Sequence, residues 1–213
     1  MTEDAVVLCA LWANELERLE PLGPRRSDYV LTEPSRRVAE PLAAAMGVNA
    51  PVVSERLERG CRAFVARACA DTVVAWLWVS TGQEWAPPLR QVLRFAPDQC
   101  YGWNAGTLPA HRSRGLLTAL LRHAGWRMAQ EGYRLMWNGI LDDNLPSRRA
   151  HASAGFRPVL RLTARHEPPP TRLQAWPADH ADEAVVERAR EVVGLPTLAE
   201  ARNGSMAAAG RQR

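Results

Sequence analysis

The chain has 213 residues, enough for one domain with a substantial core and an added terminal segment. Hydrophobic residues make up 46% and charged residues 23%, which excludes a chain disordered throughout. The formal net charge of +4 rests on 27 basic residues that are all Arg; they are scattered, so the composition suits a polyanionic small ligand and lacks the basic stripe with interleaved aromatics that a nucleic-acid surface needs.

The chain starts acidic, Met1-Thr2-Glu3-Asp4, where a secretory signal would be basic. The apolar stretch at residues 5–12 is too short to span a bilayer. Cys9, Cys61, Cys69 and Cys100 show neither CxxC pairing nor metal-like spacing with His. They read as reduced thiols, mostly core, in a cytoplasmic protein with no metal and no membrane partner.

In chain order, residues 1–27 form an N-terminal extension. Its Leu8, Leu11, Trp12, Leu16 and Leu19 sit at helical spacing, which predicts a helix packing on the main domain or on a partner. Residues 28–31 predict a first strand. A helix follows with Ser35 as N-cap, Val38, Leu42, Ala45 and Met46 on one face, and Gly47 as its stop. Residues 52–59 predict a second short helix ended by Gly60. Residues 62–69 and 72–79, turning at Ala70-Asp71, read as a hairpin rich in β-branched residues and Trp. Residues 83–88, with paired prolines, read as a loop. Strands are predicted at 89–95 and 99–107, joined by Pro97-Asp98.

Beyond Thr107 the period changes. Leu117, Leu120, Leu121, Ala124 and Met128 mark a helix face, and Gly132 stops it. Residues 134–141 read as an apolar strand bounded by Asp142-Asp143-Asn144. A helix begins near Pro146 and ends at Gly155. Residues 156–162 return to strand, Pro168-Pro169-Pro170 interrupt, and residues 172–176 give a last strand. Residues 178–213 comprise a charged segment, helical at 179–193, and a frayed tail after Gly194. The order predicts a mixed α/β sheet with helices on its faces, its main domain spanning residues 28–177.

The chemistry concentrates in Thr107-Leu108-Pro109-Ala110-His111-Arg112-Ser113-Arg114-Gly115-Leu116-Leu117, between a strand and a helix. A helix N-terminus offers unpaired N–H groups and partial positive charge, so a diphosphate fits there. Gly115 allows close backbone approach, and Arg112 and Arg114 add fixed charge. The segment is neither a Walker loop nor a GxGxxG dinucleotide fingerprint.

Arg112-Ser113-Arg114-Gly115-Leu116-Leu117 resembles the signature of the GCN5-related N-acetyltransferase (GNAT) family: Arg or Gln, two residues, Gly, one residue, Gly or Ala. It departs at Leu117, where a small residue is usual. Asn144-Leu145-Pro146-Ser147 followed by Ala154-Gly155-Phe156 resembles the family's second motif. The resemblance runs from about residue 63 to 162.

It implies a mixed, mostly antiparallel sheet with helices on both faces and one splayed parallel pair, here residues 99–107 and 134–141. It implies that the pantetheine of acetyl-CoA, or of another acyl-CoA, inserts into that gap and bonds the main chain of residues 103–108. An N–H near Leu108 would then polarise the thioester carbonyl, with Asn144 against the pantetheine arm and residues Thr107, Leu108, Arg112, Ser113, Arg114, Gly115, Leu116 and Leu117 around the cofactor. The reaction implied is direct attack of a primary amine, small-molecule or peptide, in a ternary complex.

The strand carboxylate common in the family is absent from residues 100–107. The base is water, Asp98, Glu84 or none. At the position of the family's acidic Tyr the chain has His151, a candidate proton donor to the thiolate; a helix-packing His is the alternative. Trp76, Trp78, Trp103 and Trp137 read either as core or as an acceptor or acyl pocket. Transfer of a longer acyl group from CoA or an acyl carrier protein, and a non-catalytic CoA-binding module, stand as alternatives. The acceptor stays open, as does assembly as a homodimer.

Overall fold

The computed structural model describes residues 3–16, 28–33, 38–68, 72–166 and 170–201. An eight-stranded sheet runs in the order β10-β9-β1-β8-β7-β4-β3-β2. Its strands are β1 (Glu3–Trp12), β2 (Val30–Thr32), β3 (Arg62–Arg67), β4 (Val73–Thr81), β7 (Gln99–Thr107), β8 (Leu135–Leu141), β9 (Arg157–Arg165) and β10 (Arg172–Pro177). Every described pairing is antiparallel except β7 with β8. A separate hairpin joins β5 (Gln83–Ala86) to β6 (Gln91–Arg94).

The predicted N-terminal helix is corrected. Residues 3–12 are strand β1, held between β8 and β9, and only α1 (Ala13–Leu16) turns helical; Leu19 lies outside the described residues. Val6, Leu8 and Ala10 face one side of the sheet, and Val7, Cys9 and Leu11 the other. A strand covered on both faces is apolar at every position, so its sequence loses the two-residue alternation and mimics a helix stripe.

Helices α4 (Leu116–Gln130) and α5 (Leu145–Ala154) cover the face that carries Val7, Cys9, Leu77 and Met136. On the opposite face, α2 (Ala39–Met46) and α3 (Ala50–Glu58) pack over Ala63, Val65 and Trp78. That same face is covered elsewhere by α6 (Glu183–Val192), whose Val186, Ala189 and Val192 meet Leu8, Leu160 and Leu162. Trp103 touches both of these sub-cores, and the sheet between them is left open to a cavity.

Gly47, left-handed at φ 68, closes α2 as expected; Ser35, Cys69 and the Ala70-Asp71 turn fall outside the described residues. The loop expected at residues 83–88 is instead strand β5, in which Glu84 and Ala86 are buried and alternate with exposed Gln83 and Trp85. The paired prolines begin a 3-10 turn, Pro87–Leu89, where their missing N–H groups cost nothing.

Candidate active site

Strands β7 and β8 pair only from Gln99↔Leu135 to Gly102↔Asn138. Against β4, the step from Trp78 to Trp76 is matched by three residues on β7, from Trp103 to Gly106. The extra residue makes a bulge, with Asn104 at φ 43, and bends β7 away from its parallel neighbour. At the last pair, Gly102 leaves room for the Asn138 amide, which would stand 2.6 Å from a Cβ there. Beyond it, residues 103–107 present an open strand edge towards residues 139–141. An extended ligand can add to such an edge through main-chain hydrogen bonds. Asn138 is buried beside this opening, and its Oδ1 has no hydrogen-bond partner.

β7 leads into the 3-10 turn Pro109–His111 and the start of α4. Ser113 and Gly115 both have positive φ, 59° and 76°. The helical ladder opens with the Ala119 N–H on the Gly115 carbonyl, and no side chain caps the end. The amides of residues 115–118 therefore have no intrahelical acceptor.

The two arginines of the turn differ. Arg114 donates to the Tyr29 hydroxyl and to the Ala110 carbonyl, and so staples the turn. Tyr29, itself hydrogen-bonded to His111 Nδ1 at 2.9 Å, carried no signal in the sequence. Arg112 is exposed and spends only its Nε, on the Thr107 carbonyl at 3.2 Å, which leaves its terminal nitrogens for a ligand. Ser113 is exposed beside it, while Leu116 is buried and Leu117 half-buried against the core. The Leu108 N–H, expected to polarise a thioester carbonyl, is not free: it donates to the Val74 carbonyl at 2.8 Å.

Asn144 is exposed and caps α5, its Oδ1 accepting from the Ser147 N–H at 3.2 Å, which leaves its amide nitrogen for a ligand. His151 lies on α5 under the sheet, 4% exposed and edge-on to Phe156. Its Nδ1 sits 2.8 Å from the Ser147 carbonyl oxygen, which can only accept, so the ring proton is on Nδ1. Nε2 is buried with no partner, and burial pushes the imidazolium down to about 4. Burial therefore works against the protonated fraction on which the expected role of His151 as a proton donor rests.

On the other face, a cavity of about 540 Å³ meets the same gap. Val6, Leu8, Leu89, Leu93 and Leu141 give it apolar walls, and Trp103, Asn104 and Gly139 line it from the two splayed strands. Tyr101 stacks on Phe95, and burial pushes its phenol up to about 12, so it stays protonated. Glu84 is buried in the wall. Its carboxylate accepts from Arg59 Nη2 at 2.9 and 3.0 Å, from Ser80 Oγ at 2.6 Å and from the Trp85 N–H at 3.1 Å. Trp103 Nε1 extends the chain by donating to Ser80 Oγ at 2.8 Å. Arg56 completes the rim.

Of the four tryptophans expected to form core or a pocket, Trp103 lines the cavity, Trp78 and Trp137 are core, and Trp76 packs against the α2–α3 side. Asp98 falls at the closed end of the β7–β8 pair, where its carbonyl accepts from the Arg134 N–H. That is five residues, or about 17 Å, from Trp103. Cys9 and Cys100 are buried thiols pushed up to about 12; Cys61 is buried against Ser80 and Glu84. Sequence reasoning missed Arg56 and Asn138. The i,i+3 spacing of Arg56 and Arg59 places them on one helix face, but nothing says which core that face meets.

Residues 32–156 match the family model described as the Acetyltransferase (GNAT) family. No curated protein matches the chain. Among solved structures, a GCN5-related N-acetyltransferase from Sphaerobacter thermophilus superposes with a TM-score of 0.55 at 13% identity, over 83% of this chain and 52% of that one. A GNAT-family acetyltransferase from Colwellia psychrerythraea gives 0.52 at 13% identity, over 76% and 56%. A glucosamine N-acetyltransferase region of a fungal multi-domain GH3 β-N-acetylglucosaminidase gives 0.54 at 13% identity, over 81% and 21%. The chain thus spans about half the length of the first two, and at these identities the likeness is one of fold.

Proposed function

The chain belongs to the GNAT acetyltransferase family, and from that premise we propose that it transfers acetyl from acetyl-CoA to a primary amine by direct attack within a ternary complex. The observation that carries the reading is the continuity of three features. An uncapped helix N-terminus with free amides at residues 115–118 follows an open β7 edge, and that edge borders a cavity able to hold a second substrate.

In this reading the diphosphate lies on the amides of residues 115–118, with Arg112 and Ser113 beside it. Gly115 supplies the left-handed backbone that turns those amides outward. The pantetheine amides pair with residues 103–107, and Asn138 Oδ1, otherwise unsatisfied at a cost of about 1–3 kcal/mol, accepts from one of them. The Asn144 amide nitrogen faces the same arm.

The acceptor sits in the cavity. Its nitrogen, as the neutral amine, attacks the thioester carbonyl carbon; the C–N bond forms, the C–S bond breaks, and the proton lost by the nitrogen passes, directly or through water, to the departing thiolate, which leaves as the free CoA thiol. Glu84 is the carboxylate of the cavity wall and is bonded to Arg59, Ser80 and the Trp85 N–H, so it organises the site and is not a free base. Tyr101 keeps its proton and donates a hydrogen bond to charge developing beside it. The protonated, buried Cys9 and Cys100 favour direct transfer over a cysteinyl intermediate.

The test pairs calorimetry of acetyl-CoA binding with a mass-spectrometric search for acetylated product across an amine panel. Saturable binding and amine-dependent CoA release are expected. A chemically competent acetyl adduct on Cys9, Cys61 or Cys100 after incubation with acetyl-CoA alone would overturn the direct route, and absence of acetyl-CoA binding would overturn the function.

A further inference from the structure

The charged groups around the cavity do not balance. Arg56, Arg59 and Glu84 line it, two cations to one anion. Arg59 is matched, since its Nη2 bonds both oxygens of Glu84. Glu84 in turn is filled by Ser80 and by the Trp85 N–H. Arg56 is left over: among the described residues no carboxylate pairs with it.

Its neighbours hold it without neutralising it. The guanidinium carbon stands 4.7 Å from the Trp103 ring and 5.2 Å from that of Trp78. The Asn104 amide, oriented with its oxygen toward the cation, accepts from both terminal nitrogens at 3.2 Å. A cation–π contact uses none of the five N–H donors of a guanidinium, and the Asn104 oxygen takes one from each terminal nitrogen; the Nε–H and the two remaining terminal N–H groups are left, and Nε with one terminal nitrogen forms an edge that can grip a carboxylate with two parallel hydrogen bonds. Away from this rim the walls are apolar: Val6, Leu8, Leu89, Leu93 and Leu141.

On the premise of amine acetylation above, we propose that the acceptor is an amine carrying a carboxylate on an apolar body, the chemistry of a hydrophobic or aromatic α-amino acid. Arg56 is the specificity-determining residue. It binds the carboxylate while the apolar side chain fills the cavity and the amine is left toward the β7–β8 gap. A polyamine or other polycation would bring like charge against an unpaired arginine, and a carboxylate-free amine would leave that arginine without its partner.

The test measures turnover at saturating acetyl-CoA with L-phenylalanine, L-leucine, their methyl esters, phenethylamine and spermidine. Wild type is compared with Arg56→Gln and Arg56→Lys, and acetyl-CoA affinity is followed by calorimetry. The free acids should exceed the esters and phenethylamine by about 10- to 100-fold in kcat/KM, the range for a charge-assisted bidentate contact. Arg56→Gln should erase that ratio through KM, and Arg56→Lys should retain part of it. Esters turned over as well as acids, a preference for spermidine, no acid acetylated although acetyl-CoA binds, or an unchanged ratio in Arg56→Gln would overturn the acceptor class and leave acyl transfer standing. Failure of the wild type to bind acetyl-CoA would overturn acyl transfer and this inference with it.

Discussion

The turn at residues 112–115 takes its parts from one short stretch of chain, whereas the cavity takes its lining from α3, from the β5–β6 hairpin and its 3-10 turn, and from strands β1, β7 and β8. The turn works through backbone: two left-handed residues and a run of helical amides. The cavity works through side chains brought together across the fold, Arg59 paired with Glu84 and Arg56 held over two indoles without a counter-charge among the described residues. A backbone site tolerates changes of side chain except where φ is positive. A side-chain site should be sensitive at each buried polar contact.

The sharpest break in that contrast is expected at Gly115. Its φ of 76° is costly for any residue with a Cβ and worst for a β-branched one. Gly115→Val should weaken acetyl-CoA binding by about 10- to 100-fold, from backbone strain of about 1–3 kcal/mol together with a blocked approach. Calorimetry reads this directly, and an unchanged affinity would place the diphosphate elsewhere.

At the cavity, Glu84→Ala should act first on stability. Ser80 Oγ and the Trp85 N–H lose their acceptor, at a cost of about 1–3 kcal/mol. For a chain of this size that is a fall of about 2–12 °C in Tm. Thermal unfolding checks it, and acetyl-CoA affinity should hold in the folded fraction.

The two arginines of the turn sharpen the contrast further. Arg112→Ala removes a side chain with donors to spare and should cost about tenfold in acetyl-CoA affinity, less at high salt. Arg114→Ala removes a staple to Tyr29 and Ala110, so its effect should appear as a loosened turn and depend less on salt. Titrations at two ionic strengths separate the two roles.

Much of the architecture was legible because local signals agree with it. Gly47, Gly132 and Gly155 stop helices, the period changes after Thr107, and Arg112 to Gly115 mark the turn that leads into α4. β1 was not legible, because burial on both faces removes the alternation by which a strand is recognised. Nor was the cavity: Glu84 and Arg59 stand 25 residues apart, and their pairing depends on how the β5–β6 hairpin folds against α3. Leu108 shows a third limit. The bulge at Asn104 decides which β7 amides meet β4 and which meet the gap, and a bulge of one residue leaves little trace in sequence.

The smallest effect on turnover is expected at His151. A general acid lost from the site would cost about 100-fold or more, whereas His151→Phe should leave kcat within about twofold at pH 7. The reason is that the imidazole is already neutral there, with its one proton given to the Ser147 carbonyl and its Nε2 buried without a partner. Its consequence belongs to stability and to acid pH. Burial lowers the folded-state value to about 4 from an ordinary 6.5, so the unfolded chain takes up a proton first as pH falls. The contribution is fully present above about pH 6.5 and is lost progressively as pH drops towards 4, at about 1.4 kcal/mol per pH unit. In His151→Phe no such group titrates, and the ring packs against Phe156 with no polar atom to satisfy. Denaturation followed between pH 7 and 4 should therefore show a shallower loss of stability in the variant than in the wild type. Equal slopes, or a large fall in kcat at pH 7 with an altered alkaline limb, would return His151 to the catalytic machinery.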